Sequence, residues 1–269
     1  MPLADVERVI YKNNPLVEVV CQLRFPRILT INEIVPVGFQ ESIRREYPLF
    51  NVSVEQQQQL TLDIENPLPP RMVQIEASNN YEFSSADNMW RVNLTSTFLS
   101  LSTNRYTCWE EFSVKLQNPV QALLDIYEPA FYERIGLRYV DVFTKSKLGL
   151  GGANWSELIH PFALGFLSND ALKDEIINYN SVVEIDIGNT SLAQIRTSLG
   201  AVDIVGAFNP FLQSSPTELS LIVDSDMFCF RRSLDELVES LEHLHGVSTK
   251  LIRSIIKNKL HDAMEPDII

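Results

Sequence analysis

The stretch FYERIGLRYVD, residues 131–141, falls near the middle of a 269-residue chain and alternates with a period of two. Ile135, Leu137 and Tyr139 share one face, and Arg134, Gly136 and Arg138 share the other. An extended segment with one apolar and one charged face belongs in a sheet that rests on a core. On the charged face the two arginines stand roughly 13 Å apart, with Gly136 leaving backbone open between them. Guanidinium forks suit carboxylates and phosphates, which makes Arg134, Gly136 and Arg138 the candidate floor of an anion or partner site. A competing reading packs this face under a helix, pairs each arginine with a carboxylate and uses the glycine to admit a bulky neighbour.

Upstream, NPVQALLDIYEP (118–129) predicts a helix with Asn118 as N-cap, Pro119 at the first helical position and an end at Tyr127 before Pro129. That helix delivers the central strand as the closing element of a first lobe. The segments RMVQIEAS, YEFSSADNMWRVNLTSTFLSLSTN and CWEEFSVKL (108–116) are short and rich in β-branched or aromatic residues, so they predict an antiparallel meander. It is introduced by the extended NPLPPR of 66–71, and the glutamine run at 56–59 reads as a strand approach or a loop. At the N terminus VEVVCQLRFP (17–26) turns Val17, Val19, Cys21, Leu23 and Phe25 inward and Glu18, Gln22 and Arg24 outward. Residues 31–50 carry Ile34, Val37, Phe39 and Ile43 at the spacing of a short helix stopped by Pro48.

Downstream, LGLGGANWSEL is glycine-rich and marks a linker near 145–155. Helical pieces broken by Pro161 follow, then three strands, SVVEIDIGN, SLAQIRTSLGAVDIV and ELSLIVDSDMFCF. Ser233 and Glu236 form a capping box that opens a long amphipathic helix carrying Leu234, Leu237, Val238, Leu241, Leu244, Leu251, Ile255 and Ile256, with Gly246 as its expected bend. The fold class is α+β: two lobes, 1–147 and 148–269, of mostly antiparallel sheet backed by helices.

Lys plus Arg total 22 against 35 Asp plus Glu, a net charge of −13, which disfavours nucleic acid as the main partner. Three scattered cysteines without CxxC pairing suit a reducing compartment. No signal peptide or membrane span is expected, so the chain reads as cytoplasmic. P-loop, GxGxxG and GxSxG patterns are absent from the sequence, and no cofactor, metal or catalytic residue is assigned. The acids Glu184, Asp186, Asp203, Asp224 and Asp226 are the residues a divalent ion would need. Asp186, however, alternates with isoleucines onto a solvated face, and the DSD at 224–226 reads as a turn. Of the four histidines, His245 lies on or beside the apolar stripe of the last helix, as a hydrogen-bonded helix residue or a ligand contact. Arg24 joins the same candidate set from the N-terminal strand. Trp90, Trp109 and Trp155 are candidate interface anchors, and Lys257 with Lys259 forms the most basic local segment.

Three stretches, YKNNPLVEVVCQLRFP at the start, ERIGLRYVD in the middle and the LxxLHxxxxxxI pattern of Leu241 to Ile252, resemble a sporadically distributed, functionally uncharacterised bacterial protein family. The patchy distribution implies a part in bacterial conflict, in defence or toxin–antitoxin cassettes. The resulting expectation is a non-catalytic interaction protein that binds a toxin or defence effector, with self-association as a second partner class. The alternative expectation is a nucleotide or anion sensor, or a metal-assisted phosphoester hydrolase.

Overall fold

A computed structural model describes residues 3–55, 58–61, 71–74, 78–169, 171–173, 175–201 and 218–268. The first half forms β1 (Val9–Tyr11), β2 (Leu16–Arg24), α1 (Leu29–Glu33), α2 (Val37–Ile43), β3 (Leu49–Glu55), β4 (Gln58–Thr61), β5 (Arg71–Gln74), β6 (Ser78–Ser84), β7 (Trp90–Leu94), β8 (Phe98–Thr103), α3 (Trp109–Tyr127) and β9 (Tyr132–Phe143). The second forms α4 (Trp155–Leu158), α5 (Pro161–Leu164), β10 (Tyr179–Gly188), β11 (Ser191–Ala201), β12 (Leu219–Arg232), α6 (Leu237–Ile255), α7 (Asn258–Ala263) and β13 (Pro266–Ile268).

The class is α+β, with a nine-stranded antiparallel sheet in the order β10-β11-β12-β9-β2-β8-β7-β6-β3. The sheet crosses the 147/148 boundary. β9 is an interior strand, paired with β2 on one side and β12 on the other, and does not close a sheet of the first half alone. Burial alternates along β2, β7 and β12, leaving one face dry. The helices rest on that face: Phe39, Phe112, Leu123, Leu158, Leu164, Leu244, Leu251 and Leu260 join Cys21, Leu23, Ile135, Leu137, Ala193 and Met227 in one apolar core. The opposite face has a small apolar cluster made by strand residues only, Val17, Val140 and Val142 with Ile222. Val17 belongs there because a bulge between Leu16 and Glu18 breaks the alternation of β2, so Val17 is buried on the side opposite to Val19.

Several expectations change. CWEEFSVKL is not a strand but the first half of α3, whose apolar residues Trp109, Phe112, Leu116, Val120 and Leu123 follow helical spacing. Pro119 therefore sits inside the helix rather than at its start. Proline removes the N–H that would bond the carbonyl of Lys115, and the Tyr47 hydroxyl donates to that carbonyl instead, at 3.1 Å. Glu128 ends the helix in the left-handed conformation, φ 44°, before Pro129. The helix expected over 31–50 is two, split at Pro36, and of its four apolar markers only Phe39 and Ile43 are buried. The last helix breaks at Ile256, which bridges to Ile159, and not at Gly246. The expected capping box of Ser233 and Glu236 is present. Asp203, the NPLPPR segment before Arg71, Gln56 and Gln57 lie outside the described residues. No helix among the described residues is long and apolar enough to cross a membrane.

Candidate functional site

The charged face of β9 holds a ladder of ion pairs. In register, Arg138 lies opposite Asp226 and Arg134 opposite Phe230. The side chains pair diagonally instead. Arg134 Nη2 donates to both carboxylate oxygens of Asp226 at 2.9 and 2.8 Å, passing over Gly136 and resting 4.4 Å from the centre of the Phe228 ring. Arg138 donates from Nε and Nη2 to the two oxygens of Asp224 at 2.7 and 3.0 Å, and its Nη1 lies 3.5 Å from Glu18. Arg196 reaches Asp224 at 3.7 Å.

Asp224 and Asp226 are therefore not turn residues. They alternate outward from the middle of β12 because Val223, Ser225 and Met227 point into the core. Burial raises the Asp226 carboxyl above its ordinary value against the opposing pull of Arg134. The Asp224 hydrogen bond holds the Arg138 guanidinium further protonated, against a smaller desolvation effect. An anion at this face would have to displace the carboxylates that already hold both guanidinium groups. The glycine admits a bulky neighbour, as the competing sequence reading requires, and that neighbour is Arg134 itself. The helix expected over this face is not there: no helix among the described residues contributes a side chain to its apolar cluster. Arg24 stands opposite Arg134 at the exposed end of β2.

His245 lies on the other side of the sheet. Its Nδ1 is 2.9 Å from the Tyr139 hydroxyl, and its ring stacks on Trp109 at 4.7 Å and 10°. Trp109 in turn donates its indole N–H to Glu242 at 2.8 Å. Burial holds the imidazole down, to about 4, so it is neutral at pH 7. Trp90 and Trp109 are core residues, 8% and 6% exposed, and do not form a surface anchor. Trp155 is half-buried beneath the Lys145 ammonium. Lys257 and Lys259 are held by the Ser156 carbonyl and by Glu157, tying α7 to α4.

Tyr139 and His245 border a cavity of about 130 Å³ between the N-terminal segment, β9 and α6. Its walls include Leu16, Asp141, Ile252 and Met264. The three stretches that carry the family resemblance, far apart in the chain, thus meet around one space. The residue that sequence reasoning missed is Asp141. It is 5% exposed, and no hydrogen bond or ion pair among the described residues reaches its carboxyl, which opens onto the cavity and is not sealed in the core. Burial alone pushes that carboxyl up to about 7. The signal was available: extending the alternation of Ile135, Leu137 and Tyr139 by one step places Asp141 on the apolar face. Among the described residues no three His, Cys, Asp or Glu side chains gather at a metal-binding distance. No protein-family model matches the chain, and no curated protein sequence matches it.

Proposed function

We propose that the chain is a protein-binding component of a bacterial conflict or antiviral defence system, acting in the cytoplasm to bind and regulate or recruit a partner effector. The observation that carries this reading is the free edge of the large sheet. β3 bonds β6 on one side and no strand on the other among the described residues. Phe50, Val52 and Val54 lie on one of its faces, opposite Phe83, Tyr81 and Asn79, and are 44–60% exposed. The exposed Ile34 and Val35 follow α1, whose Asn32 bonds Asn79 beside Val54.

An edge strand with unpaired backbone groups and apolar side chains is a template for strand addition by a partner segment. The acidic balance of the chain favours a basic partner, and the family resemblance supports the setting in bacterial conflict. Co-expression with the neighbouring genes of the native operon tests the proposal. A stable complex should form and be lost when Val52→Lys and Val54→Lys are combined, with the thermal midpoint of the chain preserved. A chain that remains monomeric and alone at micromolar concentration beside its neighbours would overturn it.

A further inference from the structure

The cavity beside Asp141 has the composition of a cation site, independent of the sheet edge. Asp141 projects from β9 into a space walled by Tyr11, Tyr106 and Tyr139 and by the aliphatic side chains of Leu16 and Ile252. The titratable and charged groups facing this space are Glu7 and Tyr11 from the N-terminal segment, Tyr106 before α3, Tyr139 on β9, and His245 and Arg253 on α6. None supplies Asp141 with a positive partner. His245 is neutral and shares its Nδ1 with Tyr139, while Arg253 is turned to the Ile256 carbonyl and the Asn258 side chain at 3.2 and 2.8 Å. The Tyr11 hydroxyl is occupied by His261 at 2.7 Å.

A buried carboxyl without a partner is costly, and each such group calls for an explanation. Aromatic faces add attraction for a positive charge. We propose that this cavity binds a small organic cation, a primary alkylammonium whose charged head meets Asp141 and whose apolar body fills the space between the tyrosines and Ile252. About 130 Å³ is close to the roughly 150 Å³ of an engineered apolar cavity that holds benzene, which limits the ligand to a handful of heavy atoms.

The probes are isobutylamine, isobutanol and isobutyrate, titrated calorimetrically into the full chain. Isobutylamine should bind at pH 8 at least about tenfold more tightly than isobutanol, and isobutyrate should not bind. Lowering the pH to 6 should weaken the amine roughly tenfold, as a carboxyl titrating near 7 is protonated. Asp141→Asn should reduce the amine to the level of the alcohol. In the unmodified chain, the Asp141 carboxyl signal in a ¹³C NMR titration should shift to a lower midpoint with the amine and stay put with the alcohol. Equal binding of amine and alcohol at pH 8, no binding of either, amine binding that survives Asp141→Asn, or an unmoved Asp141 midpoint would each overturn the proposal.

Discussion

Arg134 and Asp226 meet four residues out of register, joined by hydrogen bonds of 2.9 and 2.8 Å across Gly136. A Cβ on residue 136 would fall 2.9 Å from the Arg134 Cζ, so the guanidinium would have to leave. Gly136→Ala should strip Asp226 of its partner and destabilise the fold by about 1–3 kcal/mol, the cost of leaving a half-buried charge unpaired. The readout is a double-mutant cycle in urea: in an Arg134→Ala background the alanine at 136 should cost close to nothing. An undiminished cost there would mean that the glycine serves the backbone and not the ion pair.

Asp141 gives the chain a distinct pH dependence. Its folded value, about 7, lies above the ordinary 3.8, so its favourable contribution is complete below pH 3.8 and is lost as pH rises through 7. Relative to Asp141→Asn, the unmodified chain should lose about 4 kcal/mol between pH 4 and pH 8. Urea midpoints of both proteins at the two pH values measure this, and parallel pH profiles would contradict it.

His245 works in the opposite direction over an overlapping window. Its folded value, about 4, lies below the ordinary 6.5, so its contribution is present above pH 6.5 and is lost as pH falls through 4. Against His245→Phe the unmodified chain should lose about 2–3 kcal/mol between pH 7.5 and pH 4.5. Asp141 gains over much of the same range, so in the unmodified chain these two contributions oppose each other. Only the two variants separate the opposing effects.

The three cysteines should differ in reactivity. Cys21 and Cys229 are buried, and burial pushes the Cys21 thiol up to about 12, whereas Cys108 precedes α3 at a partly exposed position. Thiolate availability governs attack on a disulfide reagent. Ellman's reagent should therefore label Cys108 in the native chain, with Cys21 and Cys229 reacting only after denaturation. Mass spectrometry of the labelled peptides checks this.

Strand addition at β3 should also leave a mark on the isolated chain. A Val54→Pro substitution removes an edge N–H and disfavours further pairing. It should lower any self-association seen by sedimentation at high concentration while shifting stability by about 1 kcal/mol or less, because Val54 is 60% exposed.

The period-two runs of β2 and β9, the capping box at Ser233 and the leucine stripe of α6 were legible because each is a local pattern that burial on one face imposes directly. From these alone the α+β class follows. Residues 108–116 misled because tryptophan, phenylalanine and valine favour strands locally, and only contacts such as those with Trp90 and His245 reward the helical spacing they also carry. Asp224 and Asp226 read as a turn until β9 supplied the arginines that let two acids lie in a strand. Joining both halves through β9 and β12, turning Val17 over at the bulge and enclosing Asp141 beside His245 are long-range choices. They depend on which strands pair and which helix covers them, as with Tyr139 and His245, which lie 106 positions apart; only the apolar-face position of Asp141 is signalled locally, by the alternation of Ile135, Leu137 and Tyr139.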